Sequence, residues 1–183
     1  EEICSECGAT LSAARRHCPT CRADAGAPNV RACRTDENLK ALVARYDASR
    51  SQATAFGCSK EFGDLEAAVE KKSGVVVSMP AGVARSLFDD PRIIYNNYDR
   101  LVGVNARSPA DSHDDRHRYA VSGLLFGSYA DHIVYGALSL TNDGLCTYGP
   151  VHCRLQSITI EKRTSFLEVN SYRFVREHGI NPG

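Results

Sequence analysis

Residues 3–22 read ICSECGATLSAARRHCPTCR, and this stretch decides how the N-terminal part of the chain folds. Two Cys-x-x-Cys pairs, Cys4 with Cys7 and Cys18 with Cys21, are separated by ten residues. Each pair brings two thiolates to one side of a tight turn, and two such turns supply the four sulfur ligands that a tetrahedral zinc site prefers. A disulfide-bonded secreted domain is the alternative, but two adjacent pairs at this spacing are more typical of zinc.

The arrangement of these four cysteines resembles that of zinc ribbons, and the resemblance covers residues 1–25. A unit this small is expected to need its metal in order to be stable. Four thiolate ligands leave no open coordination position for a substrate, so the predicted zinc is structural.

Composition narrows the range of partners. The 183 residues carry 22 Lys+Arg and 22 Asp+Glu, so the formal net charge is zero. That balance argues against a protein that holds nucleic acid by bulk positive charge, although the basic residues that follow Asp143 leave room for a local anion site. No apolar run approaches the ~20 residues of a membrane span, and we expect no membrane partner. Eight cysteines without a disulfide pattern predict a reducing, cytoplasmic location.

The other four cysteines, Cys33, Cys58, Cys146 and Cys153, do not pair at ligand spacing. Isolated cysteines are among the most commonly buried residues, so we expect these four to pack in the core. A further metal site that uses Cys146 or Cys153 together with the adjacent His152 is the alternative.

The remainder of the chain predicts an α+β fold, in which a small N-terminal zinc ribbon is followed by a helical segment and a mostly antiparallel sheet. Residues 26–34 are expected to form a linker, and residues 35–183 an α+β domain with helices within 36–90 and a sheet at about 119–176. Residues 75–77 predict a short buried strand. Five further strands are expected at residues 119–126, 132–140, 145–155, 158–163 and 166–175. No internal repeat stands out.

A polar stretch at residues 104–118 contains His113 and His117 beside three aspartates, Asp111, Asp114 and Asp115. It has no apolar face, so we expect a solvated loop. If these side chains converge with His132 on a metal ion, the domain becomes a metal-assisted hydrolase or nuclease.

Polar residues embedded in the predicted strands indicate a possible active site. The dipeptides Tyr135-Gly136 and Tyr148-Gly149 recur on neighbouring predicted strands, and residues 163–171 combine a guanidinium, hydroxyls, a carboxylate and an amide. Over about residues 95–175, the order Arg100, Ser139, Glu168 resembles the Arg–Ser–Glu triad of ADP-ribosyltransferases.

That resemblance implies NAD as a substrate. Arg100 would bind its phosphates, Ser139 would orient the nicotinamide ribose, and Glu168 would hold the ribose and stabilise the positive charge of the transition state. Three further residues are implied to contact NAD: Tyr135 or Tyr148 by stacking on the nicotinamide, and Arg163.

The leading hypothesis is thus a zinc-ribbon protein with an ADP-ribosyltransferase-like domain that modifies a macromolecular target. The alternative is a non-enzymatic module that binds protein or nucleic acid. For nucleic acid, the basic C-terminal part of the predicted sheet, with Tyr172 and Phe174, would provide charge and stacking.

Overall fold

The computed structural model describes residues 2–90, 97–103 and 113–180, apart from the side chains of Asp99 and of residues 113–116. The described residues form helices and a small antiparallel sheet, which confirms the predicted α+β class. The helices and strands are α1 (Pro28–Cys33), α2 (Asp36–Ala55), α3 (Ser59–Lys72), β1 (Gly74–Met79), α4 (Ala81–Asp89), α5 (Tyr98–Gly103), α6 (His113–Phe126), β2 (Ala137–Ser139), β3 (Val151–Arg154), α7 (Ser157–Ile160) and α8 (Ser171–Glu177), with 3-10 turns at Gly127–His132 and Cys146–Tyr148.

The sheet has three strands in the order β2-β1-β3, and both pairings are antiparallel. The central strand β1 has the pattern GVVVSM, and its last four residues are buried. On one face, Val77 and Met79 pack with Ala84 of α4 and with Val151 and Cys153 of β3. This cluster forms the core of the domain, and it confirms the strand predicted at residues 75–77.

The connection from β2 to β3 crosses the opposite face of β1. A Cβ atom at Gly144, within this connection, would lie 2.8 Å from His152 Nδ1 and 3.1 Å from Val76 Cγ1. Gly149, with φ +134°, passes so close to the main chain of Met79 that a Cβ would overlap it. Only glycine fits at these two positions, so both ends of the 3-10 turn at Cys146–Tyr148 are held tightly against the sheet.

Helices α2 and α3 form the helical segment that the sequence predicts. The Thr35 hydroxyl caps α2 by accepting a hydrogen bond from the Asn38 N–H at 3.2 Å. Tyr46 and Phe62 contact each other across the two helices, with ring centroids 6.0 Å apart. Neither helix buries a single residue, and Leu42 is 62% exposed. The apolar faces of α2 and α3 therefore do not contribute to the core.

Three of the predicted strands are wrong. Residues 119–126 belong to α6, residues 158–163 begin in α7, and residues 166–175 run from an irregular segment into α8. Short apolar runs fit a helix as well as a strand, and Val121 and Leu124 have the i, i+3 spacing of a helical face. Residues 132–140 and 145–155 do contain strands, β2 and β3, but both are shorter than predicted.

The predicted linker contains helix α1, which joins distant parts of the chain. The buried Asn29 amide donates hydrogen bonds to the Arg163 carbonyl at 3.0 Å and to Ser165 Oγ at 2.9 Å. Arg31 Nη2 donates to the Ser12 carbonyl at 2.8 Å, and its Nε lies 3.2 Å from the Glu2 carboxylate. These contacts connect residues 2–25 to the C-terminal segment, and where the domain boundaries fall stays a prediction.

None of the described helices is both long and apolar enough to cross a membrane.

Candidate metal centre and adjacent cleft

The four cysteines of the two Cys-x-x-Cys pairs come together in a single cluster, with their sulfur atoms all within 4.8 Å of one another. The Cys4 and Cys21 sulfurs are 3.7 Å apart, and those of Cys7 and Cys18 are 3.6 Å apart. A tetrahedral site with Zn–S bonds of ~2.3 Å has sulfur–sulfur edges of about 3.8 Å. The four thiols therefore fit a zinc ion, as the sequence predicts for these residues.

Two turns of the same design carry the four ligands. The Gly8 N–H donates to the Cys4 carbonyl at 2.9 Å, and the Arg22 N–H donates to the Cys18 carbonyl at 3.1 Å. Antiparallel bridges flank both turns, Ile3 with Thr10 and His17 with Asp24. The second turn repeats the first at an offset of fourteen residues, a repeat that the sequence analysis missed because few side chains besides the cysteines are shared.

The four cysteines differ in burial, and the thiols of Cys18 and Cys21 differ in pKa. Cys4 and Cys18 are buried, whereas Cys7 and Cys21 are exposed. The backbone N–H groups of Cys21 and Thr20 lower the pKa of the Cys18 thiol to about 6. At Cys21 the Ala23 N–H favours the thiolate, but the neighbouring Cys7 thiol and desolvation outweigh it and raise the pKa. A divalent cation bound between the four sulfurs would favour their thiolate forms.

An ion pair supports the second turn from outside. Arg16 Nε lies 3.0 Å from Asp24 Oδ1 and 3.1 Å from Oδ2. Asp24 Oδ1 also accepts a hydrogen bond from the Gly26 N–H at 2.9 Å. The Arg16 guanidinium and this N–H hold the pKa of the Asp24 carboxyl well below its usual range. The carboxylate thus remains charged at neutral pH and fixes how the chain leaves the second turn.

A cleft of about 470 Å³ lies beside the second turn, where it meets the 3-10 turn at Gly127–His132. Among the described residues, its lining includes no Asp or Glu. The Tyr129 and His132 rings approach each other at a centroid distance of 5.1 Å. The lining consists of Ala14, Arg15, Arg16, His17, Cys18, Pro19, Arg22, Tyr129 and His132.

None of the sequence motifs described above indicates this cleft. The run Arg15-Arg16-His17 between the two cysteine pairs was the signal that could have indicated a basic surface. Arg16 is neutralised by Asp24, whereas Arg15 and Arg22 are exposed and take part in no ion pair among the described residues. The approach of Tyr129 and His132 to residues 14–22 depends on long-range packing, which no local pattern reveals.

The residues of the predicted triad contact other groups. Arg100 is exposed on α5, and its backbone N–H donates to Asn97 Oδ1 at 2.9 Å. Ser139 is buried at the end of β2, and its hydroxyl accepts from the Thr141 N–H at 3.3 Å. The Glu168 carboxylate forms an ion pair with Arg45 and lies 4.0 Å from His178 Nε2. In the described part of the chain, no observed contact joins the three, and Glu168 lies outside the sheet.

Of the residues expected to bind NAD, two lie near each other. The Arg118 guanidinium carbon is 5.9 Å from the centroid of the Tyr135 ring and 4.9 Å from that of Tyr148. The Tyr135 hydroxyl is also 3.1 Å from Ser122 Oγ. Arg163 contributes its carbonyl oxygen to Asn29. A role of these residues in NAD binding stays a prediction.

The alternative metal site is not formed by the described side chains. Residues 113–118, expected in a loop, are the first part of α6. His117 stacks on Tyr172 at 5.7 Å between ring centroids, and His132 faces Tyr129 in the cleft. Among the described side chains, only the four-cysteine cluster has the geometry of a metal site. Asp111 and the side chains of His113, Asp114 and Asp115 lie outside that description.

The expectation that the remaining cysteines pack in the core is wrong for three of the four. Cys33, Cys58 and Cys146 are exposed, because they lie at helix ends and in the 3-10 turn rather than in β1 or on its inner face. Cys153 is half-buried and packs against the core.

Comparison with protein-family models finds no matching family, and comparisons with curated proteins and with solved structures find no match either. A proposal about function therefore depends on the geometry of this chain.

Proposed function

We propose that this chain is a binding module for single-stranded nucleic acid, in which a zinc ion stabilises the N-terminal ribbon and the adjacent cleft takes up phosphate and base. The observation that carries the proposal is the composition of the cleft. Arginine, histidine and tyrosine side chains line it, and no carboxylate does so among the described residues.

Charge supports the phosphate contact. Arg15 and Arg22 lie on the wall that the ribbon contributes, and neither is paired with a carboxylate in the described residues. Guanidinium groups bind phosphate oxygens in a planar, bidentate manner. The zero net charge of the whole chain is compatible with this contact because the excess of positive charge is local.

The aromatic side chains support the base contact. Tyr129 and His132 also line the cleft, and aromatic rings of this kind can stack on a base. The combination of cationic and aromatic side chains fits an unpaired strand, because bases in a duplex are already stacked on each other. The basic sheet face expected near the C-terminus does not contribute, since Tyr172 and Phe174 lie on helix α8.

An ADP-ribosyltransferase is not the function that we propose. The Glu168 carboxylate is paired with Arg45 and does not lie on a strand beside Ser139. Among the described residues, the observed contacts of Glu168 are with Arg45 and His178 rather than with groups expected to bind NAD.

The test is a binding titration of the zinc-loaded chain with fluorescently labelled single-stranded RNA and DNA, and with a duplex of the same sequence. Arg15→Ala combined with Arg22→Ala removes two cleft cations. Lys40→Ala combined with Lys71→Ala removes two exposed cations on α2 and α3, and is the charge-matched control. Zinc content is measured in every variant, so that damage to the ribbon is recognised.

We expect the arginine double variant to bind about tenfold more weakly or worse, and the lysine double variant to bind like the original chain. The slope of log Kd against log salt concentration should fall by about 1 to 1.5 in the arginine double variant, as expected for the loss of two phosphate contacts to a single strand. Equal affinity of the two double variants, or binding that salt does not weaken, would overturn the proposal. Binding to an acidic protein with no binding to oligonucleotides would favour a protein-binding module instead.

A further inference from the structure

Three polar side chains contact one another on the face of the sheet that is turned away from α4. They come from β1, from β3 and from the 3-10 turn at Cys146–Tyr148. Ser78 and His152 are directly paired across β1 and β3, so their side chains project on the same side of the sheet. Ser78 Oγ lies 2.9 Å from His152 Nδ1. On the other side of the ring, His152 Nε2 lies 3.8 Å from Cys146 Sγ. The imidazole thus connects a hydroxyl in the sheet to a thiol on the 3-10 turn above it.

This arrangement has the geometry of an activated nucleophile. A cysteine becomes a good nucleophile when an adjacent base accepts its proton, and the base works best when a third group orients it. With a proton on Nδ1 donated to Ser78 Oγ, the Nε2 lone pair of His152 faces the Cys146 thiol. Ser78 is buried and Cys146 is exposed, so the orienting group is protected from water while the thiol is open to a substrate.

The surrounding backbone is shaped around the same three groups. A side chain at Gly144 would lie 2.8 Å from His152 Nδ1 and would overlap Ser78 Oγ. The absence of a Cβ at this position allows the connection between β2 and β3 to pass directly over the Ser78–His152 hydrogen bond. The backbone at Gly144 therefore covers this bond on one side.

The position of Cys153 excludes a disulfide bond between it and Cys146. Cys153 follows His152 in the chain but points to the opposite face of the sheet, where it packs against the core of Val77, Met79 and Ala84. It cannot form a disulfide with Cys146 while the sheet is intact. Cys153 therefore cannot act as a resolving cysteine for Cys146. Attack of the Cys146 thiol on an external electrophile fits the site better than a redox cycle between two cysteines of the chain.

From this geometry we propose that Cys146 is a nucleophile for acyl transfer, with His152 as its general base and Ser78 as the residue that positions the imidazole. The substrates are activated acyl donors, namely esters or thioesters. This site is independent of the zinc cluster and of the proposed nucleic-acid cleft.

The reaction needs no additional oxidant or reductant. His152 Nε2 takes the proton of the Cys146 thiol, and the thiolate forms a bond to the acyl carbon of the donor. The bond from that carbon to the leaving alcohol or thiol breaks, and the leaving group takes the proton from Nε2. Water then gives a proton to His152 and attacks the S-acyl group, which releases the carboxylic acid and restores the Cys146 thiol with the returned proton.

The first experiment compares cysteines within one molecule. The chain is loaded with zinc, so that the four ligand thiols are occupied, and is treated with iodoacetamide at neutral pH. Mass spectrometry then gives the alkylation rate of each remaining cysteine. Cys33 is the internal reference, because it is also exposed but lies at the end of α1 away from any histidine contact in the described residues. We expect Cys146 to react at least about tenfold faster than Cys33.

Two variants test the roles of His152 and Ser78. His152→Gln keeps the size of the side chain but removes the base, and should lower the Cys146 rate to that of Cys33. Ser78→Ala should leave Cys146 reactive but change the pH dependence of its alkylation, an effect that a merely structural role of Ser78 would not produce. Circular dichroism and zinc content show whether each variant is folded. If Cys146 reacts no faster than Cys33 in the folded original chain, the proposal is overturned.

The second experiment uses p-nitrophenyl acetate as the acyl donor. We expect release of nitrophenol, an acetyl group on Cys146 and repeated turnover, all lost in Cys146→Ser and retained in Cys33→Ser. Turnover that persists in Cys146→Ser would contradict the assignment. An acetyl adduct on Cys146 that is never hydrolysed would overturn the catalytic cycle.

Discussion

Gly8 and Arg22 occupy equivalent positions in the two Cys-x-x-Cys turns, and both have a left-handed backbone, with φ of 72° and 65°. Each donates its N–H to the carbonyl of the first cysteine of its pair. Glycine adopts this conformation freely, whereas an L-residue with a side chain does so at a cost of roughly 1–2 kcal/mol. The two halves of the ribbon therefore make the same turn with unequal strain.

Adding a side chain at position 8 and removing the side chain at position 22 should change zinc affinity in opposite directions. Gly8→Ala should weaken zinc binding by roughly fivefold, because about 1 kcal/mol of strain enters a unit whose folding is coupled to the metal. A Cβ there would meet no atom within 4 Å, so a steric clash is not involved. Arg22→Gly should bind zinc more tightly than Arg22→Ala, which has the same loss of charge. Competition with a chromophoric chelator measures these affinities. An unchanged zinc affinity in Gly8→Ala would contradict the claim that a side chain at this position strains the turn.

Metal removal should unfold the ribbon and leave the sheet intact. We expect one zinc per chain by elemental analysis, lost in Cys7→Ser and retained in Cys33→Ser. Addition of a chelator should abolish hydrogen-exchange protection at the Cys4 and Cys18 amides, which donate to Ala9 and Ala23. The Val77 amide in β1 should stay protected. Loss of protection at both places together would show that the ribbon and the sheet unfold as one unit.

The contact between α2 and α3 should weaken at alkaline pH. The Tyr46 hydroxyl donates a hydrogen bond to the Glu66 carboxylate, and this bond raises the pKa of the phenol above its usual value of about 10. A group with a raised pKa in the folded state contributes stability that is fully present below the unfolded pKa and is lost as pH rises through the folded pKa.

The stabilising effect of Tyr46 should therefore be complete at about pH 9 and decline above about pH 10. Urea denaturation followed by helical circular dichroism at several pH values measures it. Tyr46→Phe keeps the ring contact with Phe62 but cannot ionise, so the difference between the two proteins isolates the phenol. An identical alkaline dependence in both would contradict the role of this bond.

Two glycine substitutions should have opposite effects on the free energy of unfolding. Gly149→Ala should destabilise the sheet by more than about 2 kcal/mol, since it places a side chain at φ +134° and against the backbone of Met79. Gly63→Ala, in α3 with nothing within 4 Å, should stabilise its helix by ~0.5–1 kcal/mol. Thermal unfolding measures both, and a mild effect at Gly149 would show that the β2–β3 connection can move away from β1.

The parts of this structure that the sequence predicts are those encoded locally. The two cysteine turns, the capped start of α2 at Thr35 and the apolar run in β1 each depend on residues close together in the chain. Strand pairing is not local in this way. β1 pairs Val76 with Ala137 and with Arg154, so its partners are far away in the sequence, and no turn between neighbouring strands sets their register.

The candidate sites likewise differ in whether residues close together in the chain define them. The four-cysteine cluster is predictable because two adjacent Cys-x-x-Cys pairs at this spacing are typical of a zinc site. The cleft is not, because His132 reaches the ribbon only through the packing of the rest of the domain. The pairing of His152 with Cys146 follows from the path of the β2–β3 connection across β1, which local patterns do not indicate.

Helices α2 and α3 bury no residue, and an exposed ion pair between Arg45 and Glu168 connects α2 to the C-terminal segment. Cooperativity in unfolding comes from shared buried surface, so these helices and the sheet should not melt in a single transition. The calorimetric enthalpy of unfolding should accordingly exceed the van't Hoff enthalpy. Limited proteolysis should cut between residues 36 and 72 while the core around Val77 still resists digestion. In thermodynamic terms, we expect this chain to behave as several small units that open independently.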